Sequence, residues 1–166
     1  MGDEGELRGV RFFDAVLDAA AIDAMRAASR RVTFRRGEVL MRQGEPGASM
    51  FTIVSGNVVV SLQDRDGEHI VAELGPDDYV GEMSLLTGEP RTATVTAKGR
   101  VVALETPKAA LKPILAKAPH LARQFAEMVK ERQEQLIELH ADYARWNRTG
   151  WNLADLAARV TAYHSG

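Results

Sequence analysis

Cysteine is absent from all 166 residues of the sequence. Its absence excludes disulfides, thiolate nucleophiles and thiolate metal ligands, and it fits a cytoplasmic location. The sequence also lacks the roughly 18 consecutive apolar residues that a membrane-spanning helix requires. Residues 1–6 are acidic, whereas a secretory signal begins with basic residues and continues with an apolar run. These absences predict a cytoplasmic domain with no direct membrane insertion.

A large excess of charge of either sign is also lacking. The chain carries 21 Lys and Arg residues against 23 Asp and Glu residues, which gives a formal net charge of −2 at pH 7. Such a balance argues against a strongly basic nucleic-acid-binding protein. The hydrophobic content of 45% over this length is sufficient for one domain with its own core.

The hydrophobic pattern divides the chain into three parts. Residues 10–31 show an uneven apolar face and are predicted to be helical. Residues 33–106 contain short β-rich runs separated by turn residues, and residues 107–146 return to helical spacing. Many short strands at this spacing favour a closed or rolled antiparallel sheet. The strand candidates are residues 39–41, 50–54, 58–62, 70–74, 93–96 and 101–104.

The C-terminal part begins with Pro107, which suits the first position of a helix. Pro119 then starts a second helix that extends to about Trp146, roughly 40 Å at 1.5 Å per residue. Residues 119–149 hold five basic and five acidic side chains, and a helix of balanced charge is poorly suited to gripping DNA. Residues 147–166 are predicted to be a short tail with one helix.

The predicted long helix carries an apolar stripe at spacings of three and four residues, which is typical of packing against a core or another helix. Two interpretations of the stripe remain open: it docks on the domain, or its C-terminal half forms a homo-oligomer. The stripe consists of Leu121, Phe125, Met128, Leu136, Leu139, Tyr143 and Trp146, and the oligomer would use the last four.

Residues 81–95 place a glycine, a carboxylate, a short apolar turn and one arginine between two strand candidates. Gly81 allows close approach of a ligand because it has no Cβ. Residues 82–86 are long enough for about one helical turn, whose free N–H groups attract an anion. Pro90 stiffens the chain before Arg91, whose planar guanidinium suits two phosphate oxygens. Ionised Glu82 suits a pair of sugar hydroxyls, so the combination predicts a sugar-phosphate site.

Each of these residues also has an ordinary structural explanation. Glu82 alone is equally well explained as a first-turn carboxylate that the helix dipole favours. An isolated Arg91 is more often half of a weak surface ion pair, and an isolated Gly88 is an ordinary helix C-cap. The prediction of a site therefore depends on the joint spacing of these residues.

That joint pattern, residues 81–86 (Gly-Glu-Met-Ser-Leu-Leu) followed by 90–95 (Pro-Arg-Thr-Ala-Thr-Val), closely resembles the phosphate-binding cassette of cyclic nucleotide-binding domains. Residues 37–40 and 42–47 resemble the first strands and turn of the same family, and residues 51–58 resemble its central hairpin. The resemblance covers about residues 8–132. Several motifs in the family's order make it specific.

The resemblance implies an α+β fold in which a jelly-roll-like antiparallel β-roll lies between N-terminal helices and a long C-terminal helix. We expect the nucleotide-binding domain at residues 8–146, with the roll at 33–106. Glu82 would accept from the ribose 2′-hydroxyl and Arg91 would pair with the cyclic phosphate. The complete implied ligand-binding set is Gly81, Glu82, Arg91 and Thr92, the backbone N–H groups of Met83, Ser84 and Ala93, the base contacts Val71 and Leu74, and Arg132 as a lid on the base.

The resemblance implies a non-enzymatic sensor that binds cAMP or cGMP, needs no cofactor, and relays occupancy through its C-terminal helices. The sensor would regulate an ion channel, such as a bacterial cyclic-nucleotide-gated or small-conductance mechanosensitive channel, or another effector. A catabolite-activator-type transcription regulator without its DNA-binding domain is the alternative, because only about twenty residues follow Trp146. A cupin-like metalloenzyme is more remote, since clustered metal ligands would be required and His69, His120, His140 and His164 are scattered.

Overall fold

A computed structural model of the chain describes residues 17–139 and 153–165. Two four-stranded antiparallel sheets form a β-roll, with helices before and after it, which confirms the predicted α+β class. The elements are α1 (Ala19–Ala28), β1 (Arg30–Phe34), β2 (Val39–Met41), β3 (Ser49–Ser55), β4 (Val58–Asp64), β5 (Gly67–Leu74), β6 (Tyr79–Val80), α2 (Glu82–Thr87), β7 (Thr94–Ala97), β8 (Val101–Pro107), α3 (Lys108–Lys117), α4 (Leu121–Leu139) and α5 (Leu153–Ser165).

The strands pair in the orders β1-β8-β3-β6 and β2-β7-β4-β5. Strand β3 pairs with β8 over residues that are 47 to 58 positions apart in the chain, for example Phe51 with Glu105. Strands β4 and β5 form a hairpin whose register shifts after Val60, so that Val71 and Ala72 are both buried. A β-bulge of this kind points two neighbouring side chains to the same face.

The sheet that contains β3 separates two hydrophobic cores. The roll core lies between the two sheets and takes residues from both, such as Phe51, Val60 and Val95. The helix core lies on the other side of that sheet and joins Met50 to residues of all five helices, including Phe125. Successive side chains of a strand point to opposite faces, so Met50 and Phe51 serve different cores.

The N-terminal helix ends earlier than the sequence predicts. Helix α1 runs from its N-cap Asp18, which accepts from the Ala21 N–H at 2.8 Å, to Ala28. Ser29 is extended, and its hydroxyl donates to the Met25 carbonyl at 2.7 Å. Arg30 begins β1 and pairs with β8, so the predicted extension of the helix to residue 31 is wrong. The β-roll begins before residue 33 because β8 supplies partners for this backbone.

The C-terminal helices follow in the predicted order. Helix α3 starts at Lys108 after an extended Pro107, and α4 covers Leu121–Leu139. Tyr143 and Trp146, from the predicted oligomer stripe, lie outside the described residues, as do the side chains of Leu136 and Leu139. Helix α5, in the predicted tail, packs Leu156 and Val160 into the helix core. The tail is therefore joined to the folded domain.

Candidate functional site

Arg91 is a buried cation at the edge of the roll, with 8% of its surface exposed. Its backbone is fixed to the β2–β3 turn, since its N–H donates to the Glu45 carbonyl and its carbonyl accepts from the Gly44 N–H, both at 2.8 Å. The guanidinium lies over the Phe51 ring, 5.8 Å from the ring centroid, where a cation is attracted by the ring face. The predicted phosphate-binding arginine is thus held by both backbone and side-chain contacts.

Two glycines bound the cassette helix α2. Gly81 has φ +84° and precedes the helix, and Gly88 has φ +76° and closes it with an N–H that donates to the Ser84 carbonyl at 3.0 Å. A Cβ on Gly81 would lie 2.7 Å from Nη1 of Arg91, so glycine is required for space as well as for conformation. Glu82, the first residue of the helix, is buried beside this contact.

The Arg91 guanidinium is anchored by Ser49, a residue that sequence reasoning did not select. Nη1 donates to the Ser49 carbonyl at 2.6 Å and Nη2 donates to the Ser49 hydroxyl at 3.0 Å. The same hydroxyl donates to Oε2 of Glu105 at 2.8 Å, and Oε1 of Glu105 accepts from Arg30 at 2.9 Å. A chain of polar contacts therefore runs from the buried arginine to the outer edge of the sheet.

Burial and charge act in opposite directions on Arg91. Burial lowers the pKa of its guanidinium, because removing a cation from water disfavours the charged form. The carboxylates of Glu105, Glu82 and Glu45 oppose this shift and raise the pKa. Arginine keeps its proton under these conditions, so the site presents a permanent positive charge.

A cleft of about 510 Å³ lies at Arg91. Its volume falls within the roughly 300–1,000 Å³ typical of small-molecule sites. The other lining residues come from the end of β1, the β1–β2 turn, β2 and the turn that follows it, and include Phe34, Met41, Arg42 and Glu45. Of the predicted ligand-binding residues whose side chains the structure describes, Arg91 alone lines this cleft.

The other predicted cassette residues have distinct environments. Ser84 is buried, and its hydroxyl donates to the Glu89 carbonyl at 2.7 Å, so the side chain is already used within the cassette. Met83 and Ala93 are buried, and Thr92 is half-buried between Arg91 and Ala93. The Ser84 side chain is therefore a structural brace, which leaves its backbone N–H for the predicted role.

The predicted base contacts lie deeper than the cleft. Val71 and Leu74 are each 3% exposed and belong to the roll core together with Met41, which does line the cleft. Neither of them lines the cleft at Arg91. The side chain of Arg132, the predicted lid, lies outside the described residues.

Helix α5 covers the far side of the cassette helix. Its His164 is 5% exposed, and Nε2 of His164 hydrogen-bonds to the Leu85 carbonyl at 2.9 Å. The Tyr163 ring occupies the space in which a Cβ on Gly88 would lie, and Nζ of Lys108 lies 3.9 Å from the centroid of that ring. The spacing of Leu156, Val160 and His164 on one helical face was the sequence signal for this docking.

His164 makes the docking of α5 sensitive to acid. Burial lowers the pKa of His164, the hydrogen bond to Leu85 partly opposes this, and the charges of Lys108 and Lys112 lower it further. A histidine whose pKa is lower in the folded than in the unfolded state stabilises fully above about pH 6.5, and the stabilisation is lost as the pH falls through the folded-state pKa.

We therefore expect the melting temperature of the unliganded protein to fall when the pH is lowered from 7.5 to 5.5. The melting temperature of the His164→Gln variant should fall less. Glutamine keeps a donor for the Leu85 carbonyl but does not titrate. Thermal melts of both proteins in the same buffers measure the difference. Identical pH profiles would contradict the role of His164, and an equivalent His120→Gln variant controls for an exposed histidine.

The described residues hold no cluster of three or more His, Cys, Asp or Glu side chains arranged for a metal ion. His69 instead pairs with Asp64 at 2.9 Å in the β4–β5 hairpin, and His164 binds a backbone carbonyl. Between residues 17 and 139 and within α5, no helix has the length and hydropathy needed to cross a bilayer.

A β-roll with a cleft at a buried arginine has the features of a receptor domain for a small ligand. Comparison with known families gives the particular class: residues 31–118, more than half of the chain, match the model described as the cyclic nucleotide-binding domain. The chain belongs to this family, which confirms the resemblance seen in the sequence.

Known relatives belong to different classes of protein. The chain is 33% identical over 141 residues, 84% of its length and 57% of the relative's, to a CRP-like cAMP-activated global transcriptional regulator of Mycobacterium tuberculosis. It is 36% identical over 124 residues, 75% of its length and 33% of the relative's, to a cyclic nucleotide-gated potassium channel of Mesorhizobium japonicum. The chain therefore spans between one third and just over half of these relatives.

Among solved structures, the chain resembles the N-terminal domain of a transcriptional regulator from Streptomyces coelicolor A3(2). The TM-score is 0.64 at 32% identity, and the alignment covers 76% of this chain and 93% of the other. This similarity supports the β-roll architecture.

Proposed function

We propose that this domain binds a cyclic nucleotide, cAMP or cGMP, at Arg91 and acts as a non-catalytic sensor. The observation that carries the proposal is the buried guanidinium at the cleft, next to the N-terminus of the cassette helix. Arg91 has five N–H donors, and two of them bond to Ser49. The remaining donors are suited to the oxygens of a cyclic phosphate.

The other cassette residues take complementary roles in this proposal. The Glu82 carboxylate accepts from the ribose 2′-hydroxyl, and the backbone N–H groups of Met83, Ser84 and Ala93 complete the phosphate cradle. An ionised carboxylate accepts hydrogen bonds without donating any, which suits hydroxyls and disfavours phosphate oxygens. The orientation of the ligand, with its sugar toward Glu82 and its phosphate toward Arg91, follows from this difference.

Occupancy is relayed through the helix core. Met83, Leu85 and Leu86 of the cassette helix pack in the same core as α3, α4 and α5. A ligand shifts these helices to the extent that it binds one of their arrangements more tightly than another. A coupling of about 1–3 kcal/mol is typical of such regulation.

The effector that the sensor serves is proposed to be an ion channel or another larger assembly, on the cytoplasmic side of a membrane in the first case. The potassium-channel relative favours this assignment, because its alignment covers 75% of this chain at 36% identity. The alternative is the sensor part of a transcription regulator, favoured by the Mycobacterium tuberculosis and Streptomyces coelicolor relatives. The domain itself would contact no nucleic acid in either case.

Thermal melts with cAMP, cGMP and linear 5′-AMP test the proposed function. A ligand that binds the folded state at 100 times its Kd stabilises it by about 2.7 kcal/mol. For a domain of this size, we expect a rise in melting temperature of roughly 5–10 °C with the preferred cyclic nucleotide. A larger response to 5′-AMP than to either cyclic nucleotide would overturn the assignment.

Gly47 offers a selective test of the position of Arg91. A Cβ at residue 47 would lie 2.3 Å from Nε and 2.5 Å from Cζ of Arg91, so alanine must displace the guanidinium from Ser49. We expect Gly47→Ala to weaken cyclic-nucleotide binding about tenfold, or 1.4 kcal/mol, by calorimetric titration. Gly99→Ala is the matched control, since no atom lies within 4 Å of its added Cβ. Equal affinities for the two variants would contradict the position assigned to Arg91.

A further inference from the structure

The carboxylates of Glu105, Glu82 and Glu45 surround the buried guanidinium of Arg91. Hydrogen bonds through the Ser49 hydroxyl connect Glu105 to this guanidinium. Glu105 lies on β8, 14 residues after Arg91, and no spacing rule links the two. The pairing of β3 with β8 places Glu105 within a hydrogen bond of the Ser49 hydroxyl, which is itself bonded to Arg91. Only one hydroxyl group separates this carboxylate from the guanidinium.

Glu82 and Glu45 approach Arg91 from the other elements packed around it. Glu82 begins the cassette helix and is buried, while Glu45 lines the same cleft as Arg91 and accepts the Arg91 N–H at its backbone carbonyl. All three carboxylates contribute to the electrostatic environment of the guanidinium. An anionic ligand at Arg91 therefore meets the negative charges of these carboxylates as well as the positive charge of the guanidinium.

Other cations lie nearby but are more exposed. Arg30 pairs with Glu105 at 2.9 Å and Arg42 pairs with Glu45 at 3.6 Å, with 76% and 65% of their side-chain surfaces exposed. Ion pairs in such exposed positions are weak and are screened by salt. The side chain of Glu105 is 23% exposed, so water screens the charge of Glu105 less than it screens the charge of Arg30.

We propose that Glu105 is a specificity-determining residue of this site, whose carboxylate makes the cleft prefer a monoanionic phosphodiester to a dianionic phosphate monoester. The proposal rests on the proposed function of the Arg91 site. A cyclic phosphate carries one negative charge, whereas a terminal phosphate carries about −1.5 to −2 at pH 7 because its second pKa is about 6. Each added negative charge on the ligand increases its repulsion from Glu105, so the field of Glu105 discriminates between the two by charge as well as by shape.

Titrations of the whole domain with cAMP and 5′-AMP at pH 7.5 test the proposal through the ratio of the two dissociation constants. Glu105→Gln removes the charge and keeps one acceptor oxygen, which can serve either Ser49 or Arg30. We expect the ratio of the 5′-AMP to the cAMP dissociation constant to fall roughly threefold to tenfold in this variant. The loss of one nearby negative charge removes more Coulomb repulsion from the dianion than from the monoanion. Glu105→Asp keeps the charge and should retain the wild-type preference, and Glu127→Gln, an exposed change on α4, is the remote control.

A second arm uses the unmodified protein and changes the charge of the ligand. Lowering the pH from 7.5 to 5.5 protonates 5′-AMP to a monoanion and leaves cAMP unchanged. The ratio of the 5′-AMP to the cAMP dissociation constant should therefore fall on acidification in the wild type. It should fall less in Glu105→Gln. Unaltered ratios in both arms, with cAMP binding intact, would overturn the role of Glu105 and leave the proposed function standing. If the wild type binds cGMP and not cAMP, the same ratio is measured with cGMP and 5′-GMP. Absence of binding of both cAMP and cGMP by the wild type would overturn both proposals.

Discussion

Replacing Arg91 by alanine is expected to weaken cyclic-nucleotide binding by roughly 2–5 kcal/mol. The phosphate would lose its charged partner, and the carboxylates of Glu82 and Glu105 would remain in the site without the cation that balances them. The loss should exceed that of a surface ion pair, because Arg91 is buried and bonded at both terminal nitrogens. Calorimetric titration of the variant with cAMP and cGMP measures it.

Two controls separate binding from folding in this experiment. Arg65→Ala removes an exposed positive charge from the β4–β5 turn and should leave the titration curve of the wild type unchanged. The unliganded melting temperature of Arg91→Ala shows whether the variant is folded under the conditions of the titration. A folded variant that binds with wild-type affinity would refute the assignment of Arg91 to the phosphate.

Leu156→Ala is expected to destabilise the whole domain by about 2–5 kcal/mol. Leu156 is 2% exposed and lies in the helix core with residues of the cassette helix, although it is more than fifty residues away from that helix in the sequence. Truncation removes its apolar contacts and leaves a cavity that a packed core fills only in part. Denaturant unfolding followed by circular dichroism measures the free energy of unfolding.

Thr161→Ala is the matched control on the same helix. Its side chain is exposed, and its hydroxyl donates to the Ala157 carbonyl within α5 at 3.1 Å. Surface substitutions of this kind usually change stability by less than about 0.5 kcal/mol. If both variants unfold at the same denaturant concentration as the wild type, α5 does not contribute to the core in solution.

Local patterns in the sequence were sufficient to predict the roll and the bounds of the cassette. The turn residues and short β-rich runs predicted six of the strands, and the positive φ of Gly88 agrees with the helix C-cap that the sequence offers as its ordinary explanation. These features depend on neighbouring residues, which makes them visible without a structure. Strand β1 was missed because its residues are held extended by pairing with β8, which lies far along the chain.

The surroundings of the arginine could not be predicted in the same way. Ser49 and Glu105 meet because β3 pairs with β8, and the register of that pairing is a property of the whole sheet. Val71 and Ala72 are both buried because of a β-bulge, which alternation alone does not indicate. The docking of α5 had a visible signal in the spacing of Leu156, Val160 and His164, but the partner surface had none.

The sheet that divides the two cores has a thermodynamic consequence. Along β3, Ser49 holds the arginine and Phe51 packs in the roll, while Met50 between them packs against the helices. Neither half can come apart without exposing the reverse side of the same strand to water. Unfolding of the domain should accordingly be a single cooperative transition. Ligand binding at the cleft would therefore also stabilise the helices that pack on the opposite face of this sheet against unfolding.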